Sequence, residues 1–224
     1  MTTSLVVTES ILLNRTKAPA LPFAPVEYDR VYQDTFNNIL RQYFNTLDNL
    51  VGQLTTSSGG SGAGLYLPYG SFADTTDQPV VANTATVMTF NTTDFANGVS
   101  IVTSGGKASR FTVANAGIYN FQWSGQFQNT DTQLHDASIW IRKNGTDVVG
   151  STGYISIPNK HGGDDGHGIY GWNFLFSLAA NDYIELWWSA TNAAVSIQAY
   201  PVGTTPTRPT TSSLVATMTF VSAI

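Results

Sequence analysis

Between Gly117 and Phe127 the chain reads GIYNFQWSGQF. Tyr119, Phe121 and Trp123 fall on one face of an extended segment; Asn120, Gln122 and Ser124 fall on the other. A period of two with one apolar and one polar face marks a half-buried strand. Short runs of the same kind recur between turn signals through residues 65–224: ATVMTF, SRFTVA, ASIWIRK, GYISI, IYGWNFLFSL, YIELWWSA, VSIQAY and LVATMTFVSA. KNGTDV (143–148) carries Asn-Gly at the tip of a hairpin, and NAGIY and AANDYI read as further tight turns. About nine or ten such strands with no helical period predict a mainly β domain, a two-sheet sandwich or jelly roll.

Two of these strands are apolar on both faces. In YIELWW, Ile184, Leu186 and Trp188 oppose Tyr183, Glu185 and Trp187; in ASIWIRK, Ile139 and Ile141 oppose Trp140. One face suits the core, yet the other still carries Trp140, Tyr183 and Trp187. Monomers rarely expose so much contiguous aromatic surface. Three readings are open: a subunit interface, rings covered by loops, or a platform for a ligand such as a sugar.

The period changes to helical over VEYDRVYQDTFNNILRQYFNTLDNLVGQ, residues 26–53. Tyr28, Tyr32, Phe36, Ile39, Tyr43, Leu47 and Leu50 form one stripe at a mean spacing near that of an eleven-residue repeat. Val31, Leu40, Phe44 and Val51 widen it beyond what one helix hides alone. Pro25 precedes the helix, and Glu27 and Asp29 are expected in its first turn, where they complement the dipole. The helix either packs on the next domain or joins copies of itself in a parallel bundle. In the bundle, Tyr28, Tyr32, Phe36, Ile39, Tyr43 and Leu47 are the contacts. Before it, residues 1–25 read as an extended arm, apolar early and proline-rich in KAPALPFAP, fit to lie across a neighbour. After it, TTSSGGSGAG (55–64) is a flexible linker. The plan is thus an arm (1–25), a trimerising helix (26–54), a linker (55–64) and a β domain (65–224).

Composition narrows the function classes. Charged residues make up 11% of the chain, against about 25% in an average domain. Such a surface leans on Thr, Asn, Ser and Gly, as suits a rigid β protein partly hidden by its own copies. The net charge is −5 with no basic run, which argues against nucleic acid. No apolar run approaches the ~18 residues of a membrane span, and the N-terminus lacks the basic start and small-residue cleavage site of a signal peptide. With no cysteine, thiol catalysis and disulfides are excluded.

Candidate chemistry concentrates in NKHGGDDGHGIYGW, residues 159–172. His161, Asp164, Asp165 and His167 could serve as metal ligands, but their spacing matches no standard site. The stretch joins two strands, so it reads as a loop at one end of the sandwich. It is a polar loop, a host-facing contact, or a metal site if three copies meet on an axis. His135 beside Asp136 reads as a turn pair. No nucleophile elbow and no phosphate-binding glycine loop occurs. The expectation is no enzyme, no cofactor and no resident metal.

RFTVANAGIYNFQWSGQF, ASIWIRKNGTDV, GWNFLFSLAANDYIELWW and the closing LVATMTFVSAI together resemble the tumour necrosis factor / complement globular-head family over roughly residues 68–224. Leu178 and Asp182 match that family's leucine-to-Gly-Asp step, with Asn181 where glycine is usual. The resemblance implies a ten-strand jelly roll, a compact homotrimer and a binding or structural role. It would place Trp140, Tyr183 and Trp187 at the trimer interface. Ahead of it, LPFAPVEYDRVYQDTFNNILRQYFNTLDNL resembles a segment at the start of structural proteins of tailed phages of marine bacteria, through PVEYD (25–29) and LRQYFNTLDN (40–49). That likeness implies a virion fibre or spike subunit. Residues 1–54 would engage another virion protein, and the outward domain would meet a host glycan or outer-membrane protein. The alternatives are a capsid decoration protein without a receptor and a secreted bacterial adhesin or matrix module.

Overall fold

The structure, a computed structural model, describes residues 17–55 and 67–223. They belong to two units, divided between Tyr66 and Leu67. Residues 1–16 of the arm, and the linker beyond Thr55, lie outside the described residues.

In the first unit the only regular element among the described residues is α1 (Arg30–Thr55). It starts four residues later than its apolar period suggests, and no acid lies in its first turn. Asp29 is the reason. Its Oδ1 accepts the backbone N–H of Val31 at 2.8 Å and of Tyr32 at 3.4 Å, while its carbonyl accepts Gln33 N–H at 3.0 Å. That is N-cap geometry, which holds the capping residue itself out of the helix. Tyr28 therefore precedes the helix and is exposed. Tyr32, Phe36, Ile39, Tyr43 and Leu47 are half-buried, and Tyr32 stacks on Phe36 at 6.1 Å. The Tyr32 hydroxyl donates to the Pro22 carbonyl at 3.4 Å, tying the described part of the arm to the helix. No second helix lies beside α1 among the described residues, so a bundle would need other copies.

The second unit is mainly β and sandwich-like. Its first sheet holds β1 (Tyr69–Asp74), β2 (Gln78–Pro79), β4 (Thr92–Asn97), β7 (Gly117–Asn129), β11 (Gly166–Leu178), β13 (Val195–Ile197) and β16 (Leu214–Ser222). The order is β2-β13-β7-β16-β1-β4, with β11 along the other edge of β7. The second sheet holds β3 (Thr86–Val87), β5 (Val99–Ser104), β6 (Lys107–Val113), β8 (His135–Lys143), β9 (Thr146–Asp147), β10 (Gly153–Ile157) and β12 (Tyr183–Ala190). Its order is β10-β8-β12-β6-β5, with β3 on β12 and β9 on β8. β14 (Gly203–Thr204) and β15 (Thr207–Arg208) form a separate hairpin.

The alternation in GIYNFQWSGQF decides which face is inside. Tyr119, Phe121 and Phe127 are fully buried, against Ile184, Leu186 and Trp188 of the second sheet. Phe111 stands edge-on to Phe72, Phe90 and Phe121 at 5.4, 4.8 and 5.0 Å, the arrangement the ring quadrupole favours. The Asn-Gly turn closes β8 onto β9 with Asn144 at φ 50° and Gly145 at φ 80°, as a two-residue primed hairpin requires. Asn181, at the position where the resembled family has glycine, has φ 68°; asparagine is among the few other residues that tolerate this region. ATVMTF is shorter as a strand than its alternation suggests. Only Thr86 and Val87 pair, while Met88 and Phe90 fill the core from irregular chain.

Candidate functional site

The stretch 159–172 is half turn and half strand. His161 and Asp164 exchange both backbone hydrogen bonds, at 2.8 and 3.0 Å. Gly162 and Gly163 between them have φ 61° and 102°, values that favour glycine. His161 and Asp164 thus sit exposed at a hairpin tip. β11 begins at Gly166, opposite Asn129, so His167 is a strand residue rather than a loop residue. Its register neighbour Gln128 lies on the outward face of β7, and His167 shares that face. The two histidines therefore do not meet within one chain. Among the described residues no three His, Cys, Asp or Glu side chains converge as a metal site would need.

What the fold does assemble is a directed chain of hydrogen bonds ending at His167. Asp165 is half-buried, 3.6 Å from Lys160 Nζ, and accepts from Gln128 Nε2. This fixes the amide of Gln128, so its Oε1 faces away and accepts from the Tyr200 hydroxyl at 3.0 Å. Tyr200 has spent its one proton there. Its oxygen lies 3.0 Å from His167 Nδ1, which must then carry the proton. In the tautomer that this bond selects, the ring lone pair is on Nε2. Burial, followed by the charges of Asp165 and Asp77, raises the Tyr200 pKa and keeps the phenol protonated.

This chain borders a groove of about 260 Å³ lined by Gln126, His167, Tyr200, Arg208 and Thr211. Gln126 is where β7 changes partner. Residues 127–129 pair with β13 and 118–125 with β16, while the segment between those strands crosses over as the β14–β15 hairpin. Tyr200 and Thr211 close the base of that hairpin with two backbone bonds, at 3.0 and 2.9 Å. The Arg208 side chain lies flat across Gly203: a Cβ there would come within 2.5 Å of Cγ and 2.7 Å of Cζ and Nε. Tyr200, Gln126 and Arg208 carry no signal in the sequence, because a register handover and an irregular segment bring them together.

On the opposite side of the sandwich, Trp140 and Trp187 stand directly across from each other on β8 and β12. Both are half-buried, as is Tyr183. The Arg142 guanidinium lies 3.9 Å from the Trp187 ring centre, and that of Arg110 lies 4.2 Å from Tyr183. Trp140 Nε1–H donates to Asp147 at 3.0 Å and Trp187 Nε1–H to Glu185 at 3.3 Å. Glu185, 6% exposed, also accepts from Arg110 Nε at 3.0 Å and the Ser109 hydroxyl at 3.4 Å. These aromatics are thus covered in part by arginines of their own chain. The third histidine, His135, pairs with Asp131 at 2.8 Å rather than forming a turn with Asp136, because it already belongs to β8. The hydrogen bond from His135 is the main cause holding the Asp131 carboxyl below its ordinary pKa.

Among the described residues no helix is long and apolar enough to cross a membrane. No protein-family model matches the chain, and no curated protein matches it.

Proposed function

We propose that this chain is a homotrimeric structural subunit of a tailed-phage virion, a fibre or spike component. In this reading residues 1–54 attach it to another virion protein, and an outward jelly-roll domain meets the host surface. It is a module for assembly and binding, without catalytic chemistry. The sheet orders support the jelly roll. Ten strands have five or more residues, five in each sheet. Among these ten the chain changes sheet from β4 to β5, β6 to β7, β7 to β8, β10 to β11, β11 to β12 and β12 to β16, the back-and-forth winding of that architecture.

The observation that carries the assembly is the absence of charge from one face. The three adjacent strands β7, β11 and β16 contain no Asp, Glu, Lys or Arg. Their outward face exposes Ile169, Leu175 and Val215 among Asn, Gln, Ser and Thr, with His167 near the start of β11 its one titratable side chain. Water-facing sheets usually alternate apolar with charged and polar residues, whereas interface cores are depleted of charge. A face of this kind, repeated head to tail around an axis, closes a ring of identical subunits. Three copies are what the family resemblance implies.

Light scattering on the full chain and on a form lacking residues 1–64 tests this. Three times the 24.1 kDa chain mass is expected from the full chain, and a trimer is expected from the shortened form as well. A trimer only with the helix present would move the assembly to α1. A monomer in both forms would sink the proposal.

A further inference from the structure

We propose that the outward face of the second sheet binds an uncharged saccharide in a trough floored by Ser138 and Ser189; this rests on the host-contact reading above and names its ligand class. Strand register sets the site. Trp140 and Trp187 face each other across β8 and β12, and two residues along Ser138 and Ser189 do the same. Tyr154 of β10 stands opposite Ser138, diagonal to Trp140 and within reach of a large ring. Two residues further along β8, Asp136 stands opposite Ser156. All of these share the outward face, since Ala137, Ile139 and Trp188, which alternate with them, are buried. Two short side chains thus lie between taller ones: the indoles on one flank, Asp136 on the other and the phenol at one end.

The indoles are set in place by their own chain. Trp140 Nε1–H donates to Asp147 and Trp187 Nε1–H to Glu185. Arg142, which lies over Trp187, belongs to the next outward pair, on the far side of the tryptophans from the serines. Both tryptophans remain partly accessible, and Tyr154 is 80% exposed. The sheet is the one opposite the uncharged strands assigned to assembly, so sugar and subunit contact use different faces.

The polar groups decide the ligand. Arg142 and Arg110 are taken by Asp147 and Glu185, so neither has charge to spare. Asp136 accepts from the Ser156 hydroxyl at 2.6 Å and has no cation partner among the described residues. The Ser138 and Ser189 hydroxyls have no hydrogen-bond partner among the described residues. An acidic ligand would meet Asp136 with no cation to offset it, and a purely apolar one would leave the carboxylate and two hydroxyls unmet. A neutral sugar answers both sets of groups. Its C–H face lies on the rings, and its hydroxyls bond the serines and the carboxylate.

The test is NMR titration of the full-length protein with the methyl glycosides of glucose, galactose, mannose and N-acetylglucosamine, and with methyl glucuronide, read at the Trp140 and Trp187 indole N–H resonances. At least one neutral glycoside is expected to shift both, with a Kd on the order of 1 mM for so small a ligand. Ser138→Gln fills the trough and should abolish the shift. Tyr154→Ala, at an exposed position, should weaken binding about three- to tenfold through loss of a ring contact, and Asp136→Asn a fewfold. No shift from any neutral glycoside at about 50 mM, binding that survives both Ser138→Gln and Tyr154→Ala, or a glucuronide tighter than every neutral glycoside would each overturn the site. Loss of trimer mass in Tyr154→Ala would make the face a subunit contact and overturn it as well. No sugar binding by a protein that is still a trimer removes this site alone; a monomeric unsubstituted chain removes the assembly reading whatever the face binds.

Discussion

The two outward faces of the sandwich solve the same problem in opposite ways. On the second sheet, large aromatics stand on the surface, and the chain covers them itself: Arg142 over Trp187, Arg110 over Tyr183, with Glu185 and Asp147 holding the arginines and the indole N–H groups. On the first sheet the exposed side chains are smaller, yet β7, β11 and β16 offer no ion at all. A face with its own counter-ions and hydrogen-bond partners can stay in water. A face of valine, leucine, isoleucine and uncharged polar groups is suited to being covered by a neighbouring subunit. Aromatic content and the supply of charge thus point to different faces as the place where copies would join, Trp140, Tyr183 and Trp187 to the second sheet and the uncharged strands to the first.

The largest effect should come from placing a charge on the uncharged face. Val215 is 41% exposed and points outward from β16. Within one chain Val215→Glu at such a position should change stability by no more than about 0.5 kcal/mol. In the proposed trimer it would place a carboxylate from each copy in the subunit contact. The expected mass falls from three chains to one, while Arg142→Glu on the other sheet leaves it unchanged. If Val215→Glu stays trimeric and Arg142→Glu dissociates, the roles of the two faces are reversed.

A smaller effect is expected where the second sheet covers itself. Glu185→Ala removes the acceptor for Arg110, Ser109 and Trp187 at once. Breaking a buried pair costs about 3–5 kcal/mol, but Arg110 is one-third exposed and can turn to water, so about 2 kcal/mol is the better figure. At fixed protein concentration that lowers Tm by roughly 4–8 °C for a domain of this size, with the mass unchanged. A loss below about 0.5 kcal/mol would mean the aromatics need no such cover.

How far these features were legible in the sequence follows from their periods. The strict alternation of β7 and the compact runs of β8, β10, β12 and β16 announced themselves, as did the Asn144-Gly145 turn. β1, β4 and β5 did not. Thr, Asn and Asp crowd β4, and all of its positions are exposed or half-buried, so no apolar period survives. The helix was legible but its start was not, because a capping Asp29 and a first-turn acid look alike in sequence. Of the residues singled out around 159–168, Asp165 and His167 do enter one network, whereas His161 and Asp164 point into solvent on a turn. Their partners Gln128 and Tyr200 come from strand registers far away in the chain, which no local pattern encodes.

The smallest effect separates the two faces by pH. Asp147 and Asp182 both belong to the second sheet or its turns, and both carboxyls lie below their ordinary pKa. For Asp147 the hydrogen bond from Arg142 is the main cause. For Asp182 burial works the other way, but hydrogen bonds from Asn144, the Ala179 N–H and Lys143 outweigh it. A carboxyl whose folded pKa is depressed contributes stability above the unfolded value of about 3.9 and loses it as pH falls through the folded value. The second sheet should therefore hold from pH 8 to 5 and loosen only below about pH 4. The indole N–H resonance of Trp140, whose acceptor is Asp147, should report the change first. Strands β7, β11 and β16 have no carboxylate to protonate, and their one histidine, His167, lies near the start of β11 against the Tyr200 hydroxyl, away from Leu175 and Val215. The trimer mass should thus be the same at pH 5 and pH 8. Dissociation at pH 5 would mean that histidines of different copies cluster, and that the first sheet's face is not the neutral contact argued for it; an indole shift already complete by pH 5 would mean that Asp147 is not held by Arg142 in solution.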